Sequence, residues 1–464
     1  MPDERLVLGI DSSTQSTKAV LVRADDGTTV EHRSAAHPDG TEVDPRVWID
    51  ALEEAAGPLL ARADAVAVGG QQHGMVTLDS EGNPVRDALL WNDTRSSGAA
   101  TDLVNELGGP QATADATGSV FVASYTITKL RWLRDHEPAN AARVERVLLP
   151  HDYLTWHLAG RPAEATTDRG DASGTGYYSP RDNRWLPDLA ERALGHDFAL
   201  PRLPEPAEVV GEHQGAVLAP GTGDNMAAAL ALDTQPADVV VSIGTSGVAS
   251  AVVEESVADG TGMVSGFADA TGRFLPLACT LNAARILDLA ARTLGVDHDE
   301  LADLALSAAP GAGGVTFLPY LDGERTPNRP DATGTMHGLT SRTTRAEIAR
   351  ASVEGLLCTL ADGIDALVAA TGVTPQRALL VGGGARNKAV RALAPGVLGV
   401  PVVVPAEAEY VAIGAARQAA WALAGTEEPP AWPVPMTSVD EPDETHPEIR
   451  ESYARLRERT TDWS

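Results

Sequence analysis

Two stretches more than 200 residues apart share one pattern. Residues 6–22 read LVLGIDSSTQSTKAVLV, and residues 239–253 read VVVSIGTSGVASAVV. Each is an apolar run of the kind that forms a buried strand, a short turn of small residues, and a second apolar run. The first turn places Ser12, Ser13, Thr14, Ser16 and Thr17 behind Asp11; the second holds Gly244, Thr245 and Ser246. A tight hairpin turn explains either one by itself. The repeat in both halves points to two similarly built domains facing each other across a cleft.

The rest of the chain fits that frame. At 464 residues it is too long for one core and implies two or three domains. Strand-like and helix-like segments alternate, which makes the class α/β. A helix is expected over 44–60, with Asp44 as N-cap and Pro45 at the first helical position. A short apolar strand that ends in a polar loop is expected over 65–74, a long helix over 346–370, and a strand running into a glycine-rich turn over 378–387. The Pro-rich, acidic residues 425–447 read as a surface linker, and 448–460 as a short last helix.

Composition excludes several functions. A net charge of −29 repels nucleic acid and anionic membranes. No apolar run reaches the length of a membrane span. Cys279 and Cys358 are far apart and lack metal-ligand spacing, which fits a reducing, cytoplasmic setting. MPDERLVLGID leads straight into a strand without a signal peptide.

The turns suggest phosphate chemistry. Clustered Gly, Ser and Thr expose backbone N–H groups and hydroxyls that can converge on phosphate oxygens. The strand–GxxxxGK[ST]–helix pattern is absent, so hairpin turns are a different solution. A carboxylate beside a triphosphate needs a divalent cation between them, so Asp11 suggests Mg²⁺, held through water. Asp224 lies in GTGDN (221–225), ahead of an Ala-rich helical stretch. It reads as a helix N-cap, as a general base for an alcohol, or as both. The loops GQQHG (70–74) and LLWNDTR (89–95) bring Gln72, His73 and Trp91 to strand ends, where a neutral polyhydroxy ligand would meet donors and acceptors. VGGGARN (381–387) and EYVAIGAA (409–416) suit a nucleoside platform, with Asn387 reading a polar edge.

From about residue 5 to about 422 the chain resembles the FGGY carbohydrate kinases. SYTITKLRW (124–132) fits the family's first signature and GTMHGLTSRTTRAEIARASVE (334–354) its second. LPYLDGERTPNRPDATG (318–334) and TDRGDASGTGYY (167–178) are similar to segments of its D-xylulose-phosphorylating members. The resemblance implies two ribonuclease-H-like domains of the actin/Hsp70/hexokinase superfold around a catalytic cleft. By position these are an N-terminal domain over 1–232, a C-terminal nucleotide-binding domain over 233–425, and a linker and helix over 426–464. It implies ATP and Mg²⁺ as cofactors and D-xylulose as the small-molecule partner, phosphorylated to D-xylulose 5-phosphate. A homodimer is implied by the family alone, since no segment marks an interface.

Carried over by position, Asp11 is the Mg²⁺/phosphate aspartate and Asp224 the general base. Ser12, Thr14 and Thr17 belong to the first phosphate turn, and Gly244, Thr245 and Ser246 to the second. Gln72, His73, Trp91, Asp224 and Asn225 contact the sugar, and Gly383, Gly384 and Asn387 the adenine nucleotide. Glycerol kinases of the family carry Arg-Glu where this chain has Gln72-His73, which disfavours glycerol. Many D-xylulose-specific members have Met before that histidine, so Gln72 bears on the sugar's identity. The alternatives are a kinase for another ketose or polyol, such as ribulose or an alditol, and a non-catalytic nucleotide-binding regulator of the actin-like superfold.

Overall fold

The computed structural model describes residues 4–440 and 444–463. The two matching sequence stretches form the hearts of two seven-stranded sheets. In the N-terminal half, β1 (Leu6–Ser12), β2 (Ser16–Arg23), β3 (Thr29–Ala36), β4 (Ala65–Gly70), β5 (Gly211–His213) and β6 (Ala216–Leu218) pair in the order β5-β6-β4-β1-β2-β3, and β7 (Thr222–Gly223) joins β4. In the C-terminal half, β8 (Asp238–Ile243), β9 (Gly247–Ala251), β10 (Ser265–Ala268), β11 (Phe274–Thr280), β12 (Arg377–Val381), β13 (Val402–Pro405) and β14 (Met436–Asp440) pair in the order β10-β11-β9-β8-β12-β13-β14.

The duplication extends to strand direction. β1 runs antiparallel to β2 and parallel to β4. β8 runs antiparallel to β9 and parallel to β12. Both hairpins therefore point their turns out of the same end of equivalent central strands.

Helices cover both faces of these strands, which explains the nearly unbroken apolar runs. Leu8 and Ile10 of β1 pack with Trp48, Ile49 and Leu52 of α1 (Arg46–Ala55). Val7 faces the other way, into a layer of alanines from 412 to 422. The expected helix over 44–60 breaks at residue 56, where Gly57-Pro58 starts a separate four-residue turn. Asp44 accepts the backbone N–H of Arg46 at 3.0 Å, as a capping residue would.

Five further helices position the site: α2 (Thr126–His136), α3 (Pro150–Leu158), α4 (Asp224–Ala231), α5 (Ala284–Leu294) and α6 (Arg345–Thr371). Thr344 and Glu347 close a capping box at the start of α6, and Gly372, at φ +71°, ends it. After them come α7 (Lys388–Leu398), α8 (Tyr410–Ala424) and α9 (Pro447–Arg459).

Helix α8 follows β13 of the C-terminal sheet in sequence but lies on the N-terminal sheet. A Cβ on Gly9 of β1 would sit 1.8 Å from the Ala412 carbonyl oxygen, and one on Gly414 would sit 1.8 Å from that of Ala227 in α4. EYVAIGAA is therefore mainly an interdomain helix; Glu409, Tyr410 and Ile413 of that stretch line a cavity.

The stretch read as a surface linker is more structured than expected. Trp432 packs into the α8 layer and donates its indole N–H to the Ala24 carbonyl. Residues 436–440 form β14 on the edge of the C-terminal sheet, and Ile449, Tyr453 and Leu456 of α9 enter that half's core. Residues 441–443 of the expected linker lie outside the described residues.

Candidate active site

The first turn is closed by the Ser13 N–H donating to the Ser16 carbonyl at 3.0 Å. Asp11 pairs across the ladder with Lys18 and beside Gly69 of β4. Its carboxylate is buried, and Oδ1 has no hydrogen-bond partner. Burial pushes this carboxyl up to about 7; Asp224 and Glu409 add to the rise and Lys18 opposes it. Ser12 Oγ is also buried without a partner.

Thr14 stands at the tip, where its hydroxyl accepts the Trp91 indole N–H at 2.9 Å and lies 3.4 Å from Gln71 Oε1. Trp91, expected against a sugar, thus also steadies the first turn. Thr17 corrects the reading of the turn's hydroxyls. It is fully buried, and its hydroxyl is hydrogen-bonded to His37 Nε2 at 2.8 Å. It shapes the turn from below and offers no hydroxyl to a ligand.

The second turn is anchored within its own half. The carbonyls of Gly244 and Thr245 accept the N–H groups of Ala284 and Ala283 at the start of α5, at 2.8 and 3.1 Å. Gly384 packs so closely on this turn that a Cβ there would meet Ile243 Cγ2 at 2.3 Å. The GGG turn and the second hairpin turn are therefore packed directly against each other. Asn387 caps α7, its Oδ1 accepting from Ala389 and Val390, so the side-chain amide keeps only its N–H donors for a ligand. A cavity of 290 Å³ is lined by Ala284, Leu287, Gly383, Gly384 and Asn387. A larger cleft of 870 Å³ opens on the other side of Gly383, toward Lys18 and Glu409, which pair at 2.6 Å between the halves.

The sugar-loop residues converge. His73 has φ +66°, a strained conformation for a side-chain-bearing residue. The next residue, Gly74, lies so near Pro150 that a Cβ would come within 2.5 Å of its ring. His73 Nδ1 donates to the Gly174 carbonyl at 2.8 Å, which leaves Nε2 as an acceptor. Burial, with the Lys129 charge nearby, lowers the imidazole to about 3, so it is neutral. Lys129 explains its signature position: Nζ is buried and donates to the carbonyls of His73 and Ser124. Burial lowers the Lys129 ammonium to about 7.

Gln72 Oε1 accepts from Asn225 Nδ2 at 3.0 Å, while its own Nε2 is buried without a partner. Asp224 is the first residue of α4, one position past the cap. Its Oδ1 accepts both the N–H and Nδ2 of Asn225, at 2.7 and 2.9 Å. Desolvation in the cleft raises its carboxyl to about 6, against the Asn225 hydrogen bonds. Gln72, His73, Asp224 and Asn225 thus share one site with Asp11, and Trp91 joins the tip of the first turn. Sequence reasoning missed Gln71, which reaches the Ser13 carbonyl, and His37 beneath Thr17. Gln71 was visible as the second amide of QQHG, whereas His37 carries no motif.

The orphaned atoms fit a cation and a polyol. Asp11 Oδ1 is an unpaired buried carboxylate oxygen whose charge a cation would compensate, and Gln72 Nε2 is an unpaired donor.

The chain matches the FGGY family of carbohydrate kinases over both of its domains, the N-terminal one at residues 6–234 and the C-terminal one at 239–423. It is 47% identical to a xylulose kinase of Streptomyces coelicolor over 90% of this chain and 88% of that protein. It is 46% identical to a xylulose kinase of Streptomyces rubiginosus over 92% and 89%. A crystal structure of xylulose kinase from Bifidobacterium adolescentis superposes with a TM-score of 0.91 at 46% identity, covering 98% of this chain and 99% of that one. The chain belongs to the FGGY family of carbohydrate kinases.

Proposed function

We propose that this kinase transfers the γ-phosphoryl group of ATP to the C5 hydroxyl of D-xylulose, giving ADP and D-xylulose 5-phosphate. The observation that carries the reading is the pairing of Asp224 with the sugar loop through Asn225 and Gln72, in a chain 46–47% identical to xylulose kinases. Gln72 Nε2 supplies a donor, and Asn225 Oδ1 and neutral His73 Nε2 supply acceptors, the mixture a polyol needs.

Asp224 takes the hydroxyl proton. A carboxyl held at about 6 is ionised at neutral pH yet far more basic than a free aspartate. The alcohol oxygen then attacks phosphorus in line, and the bond to the ADP oxygen breaks. Backbone N–H groups at 14–16 and 244–246, with the Thr245 and Ser246 hydroxyls, face the phosphates from the two halves. Asp11 would hold Mg²⁺ through water, and that ion would offset the negative charge of the phosphate oxygens. The 290 Å³ cavity beside Asn387 is the place for the base, because it adjoins the second turn. Closure of the halves over the sugar would exclude water and limit idle ATP hydrolysis.

The division into 1–232, 233–425 and 426–464 belongs to this proposal, as do a cytoplasmic setting and a homodimer. The test is ADP release from MgATP with D-xylulose, D-ribulose, L-ribulose, xylitol, D-arabitol and glycerol. Strong turnover with D-xylulose supports the reading. Turnover with another sugar keeps the chemistry and moves the specificity to Gln72. Tight ATP binding without turnover on any of them would favour the regulator.

A further inference from the structure

Beneath the sugar loop lies a buried charge cluster with no part in the steps above. His151, at the start of α3, donates from Nδ1 to Asp171 Oδ2 at 2.6 Å. Its Nε2 faces Asp152 Oδ1 at 3.3 Å and Asp168 Oδ1 at 3.9 Å. All four side chains are buried. Gly70 and Gly221 make room for the ring: a Cβ on either would approach His151 atoms at 3.0 and 2.7 Å. His151, Asp152 and Asp171 have the compactness of a metal site. The 2.6 Å contact leaves space for a proton but none for an ion between Nδ1 and Asp171, because metal–ligand bonds of about 2 Å on each side would need more.

The cluster reaches both ends of the sugar site. Asp168 accepts the N–H groups of Gly170 and Asp171, and its Oδ2 accepts the Thr222 hydroxyl at 2.7 Å. Thr222 and Gly223 pair with Gly69 and Gly70, directly before Asp224. Six residues after Asp168, the Gly174 carbonyl fixes the His73 ring. One short segment, 168–174, therefore holds both His73 and the approach to Asp224.

We propose that His151 is a positioning residue for the sugar site: as an imidazolium clasped by Asp152, Asp168 and Asp171, it fixes the 168–174 segment, and through it His73 and Asp224. The proposal rests on the reading of those two as sugar-site residues. Burial alone would lower this imidazole; Asp152, Asp171 and Asp168 overcome it and hold it at about 9. Asp224 lies beyond Asp171, and Tyr177 lies beside Asp152.

The experiment compares His151→Gln, His151→Lys and Thr222→Val with the wild type. Imidazole ¹⁵N NMR of the wild-type enzyme, assigned by the signal lost in His151→Lys, should show His151 protonated on both nitrogens at pH 8. That readout needs no sugar. A neutral ring overturns the proposal even if the kinase reading stands. His151→Gln should lose roughly 100-fold in kcat/KM for the sugar, the scale of an ångström-level misplacement, with KM for MgATP within about twofold. His151→Lys, which keeps a cation, should recover roughly tenfold of that loss. Equal kinetics in the two variants would overturn the assignment. If His151→Gln does not fold, Thr222→Val cuts only the link to Asp224 and should still raise the sugar KM or lower kcat by about tenfold; wild-type kinetics there would overturn it. Absence of turnover in the wild type on any sugar would instead refute the proposed function and leave the NMR result to decide the clamp.

Discussion

Asp11→Asn should stabilise the protein while it abolishes turnover. The side chain is 5% exposed and its Oδ1 is unpartnered. A carboxyl held at about 7 where its ordinary value is 3.8 costs the fold, once ionised, on the order of 4 kcal/mol. Below the ordinary value the proton is bound in both the folded and unfolded chains and the cost is absent. It grows as pH rises and is complete above about 7, because the folded chain binds the extra proton between those limits. Asparagine carries no charge but leaves an amide unpaired, at about 1–3 kcal/mol. The net gain at pH 8 is about 2 kcal/mol, or roughly 4–8 °C in Tm for a domain of this size. The gain at pH 8 should exceed that at pH 5 by about 2–3 kcal/mol. Thermal unfolding at the two pH values, without nucleotide, measures both. A variant that melts lower than wild type at pH 8, or whose gain is the same at both pH values, would refute the reasoning. MgATP should stabilise the wild type and not the variant, since the carboxylate is there for a cation.

Further outcomes follow from the same geometry. kcat/KM for the sugar should fall about tenfold per pH unit below about 6, as the raised carboxyl of Asp224 takes up its proton; a profile flat to pH 4.5 would remove it as the base. Gly9→Ala forces β1 away from α8, since its Cβ would lie 1.8 Å from the Ala412 oxygen; it should cost about 1–3 kcal/mol in denaturant unfolding. Gln72→Met removes the acceptor of the Asn225 amide and should raise the sugar KM about fivefold with kcat little changed, read from initial rates over a sugar titration.

Much of this architecture is legible in the chain. The paired hairpins announce the two sheets because strands covered on both faces need unbroken apolar runs and their turns need small residues. The long helix is legible because Thr344-Glu347 and Gly372 punctuate it. Legibility fails where tertiary contact decides. Residues 436–440 look like linker in isolation, and they become a strand because β13 offers an open edge. The hydroxyl of Thr17 cannot be assigned to a side of the turn without His37, 20 residues away. The His151 cluster is invisible because its two parts, 151–152 and 168–171, carry no recognised spacing; only the fold stacks α3 against the 168–174 segment. Asp224 was readable as cap or base, and the structure sets it one residue inside the helix, with its carboxylate held by Asn225.

The measurement closest to the central claim is steady-state D-xylulose phosphorylation by Asp224→Asn, with MgATP affinity measured on the same preparation. The account predicts a turnover lower by about 10²–10⁴-fold, the usual contribution of a general base, with nucleotide affinity and Tm close to those of the wild type. Turnover near the wild-type rate would contradict it, because no other carboxylate is hydrogen-bonded into the sugar loop among the described residues.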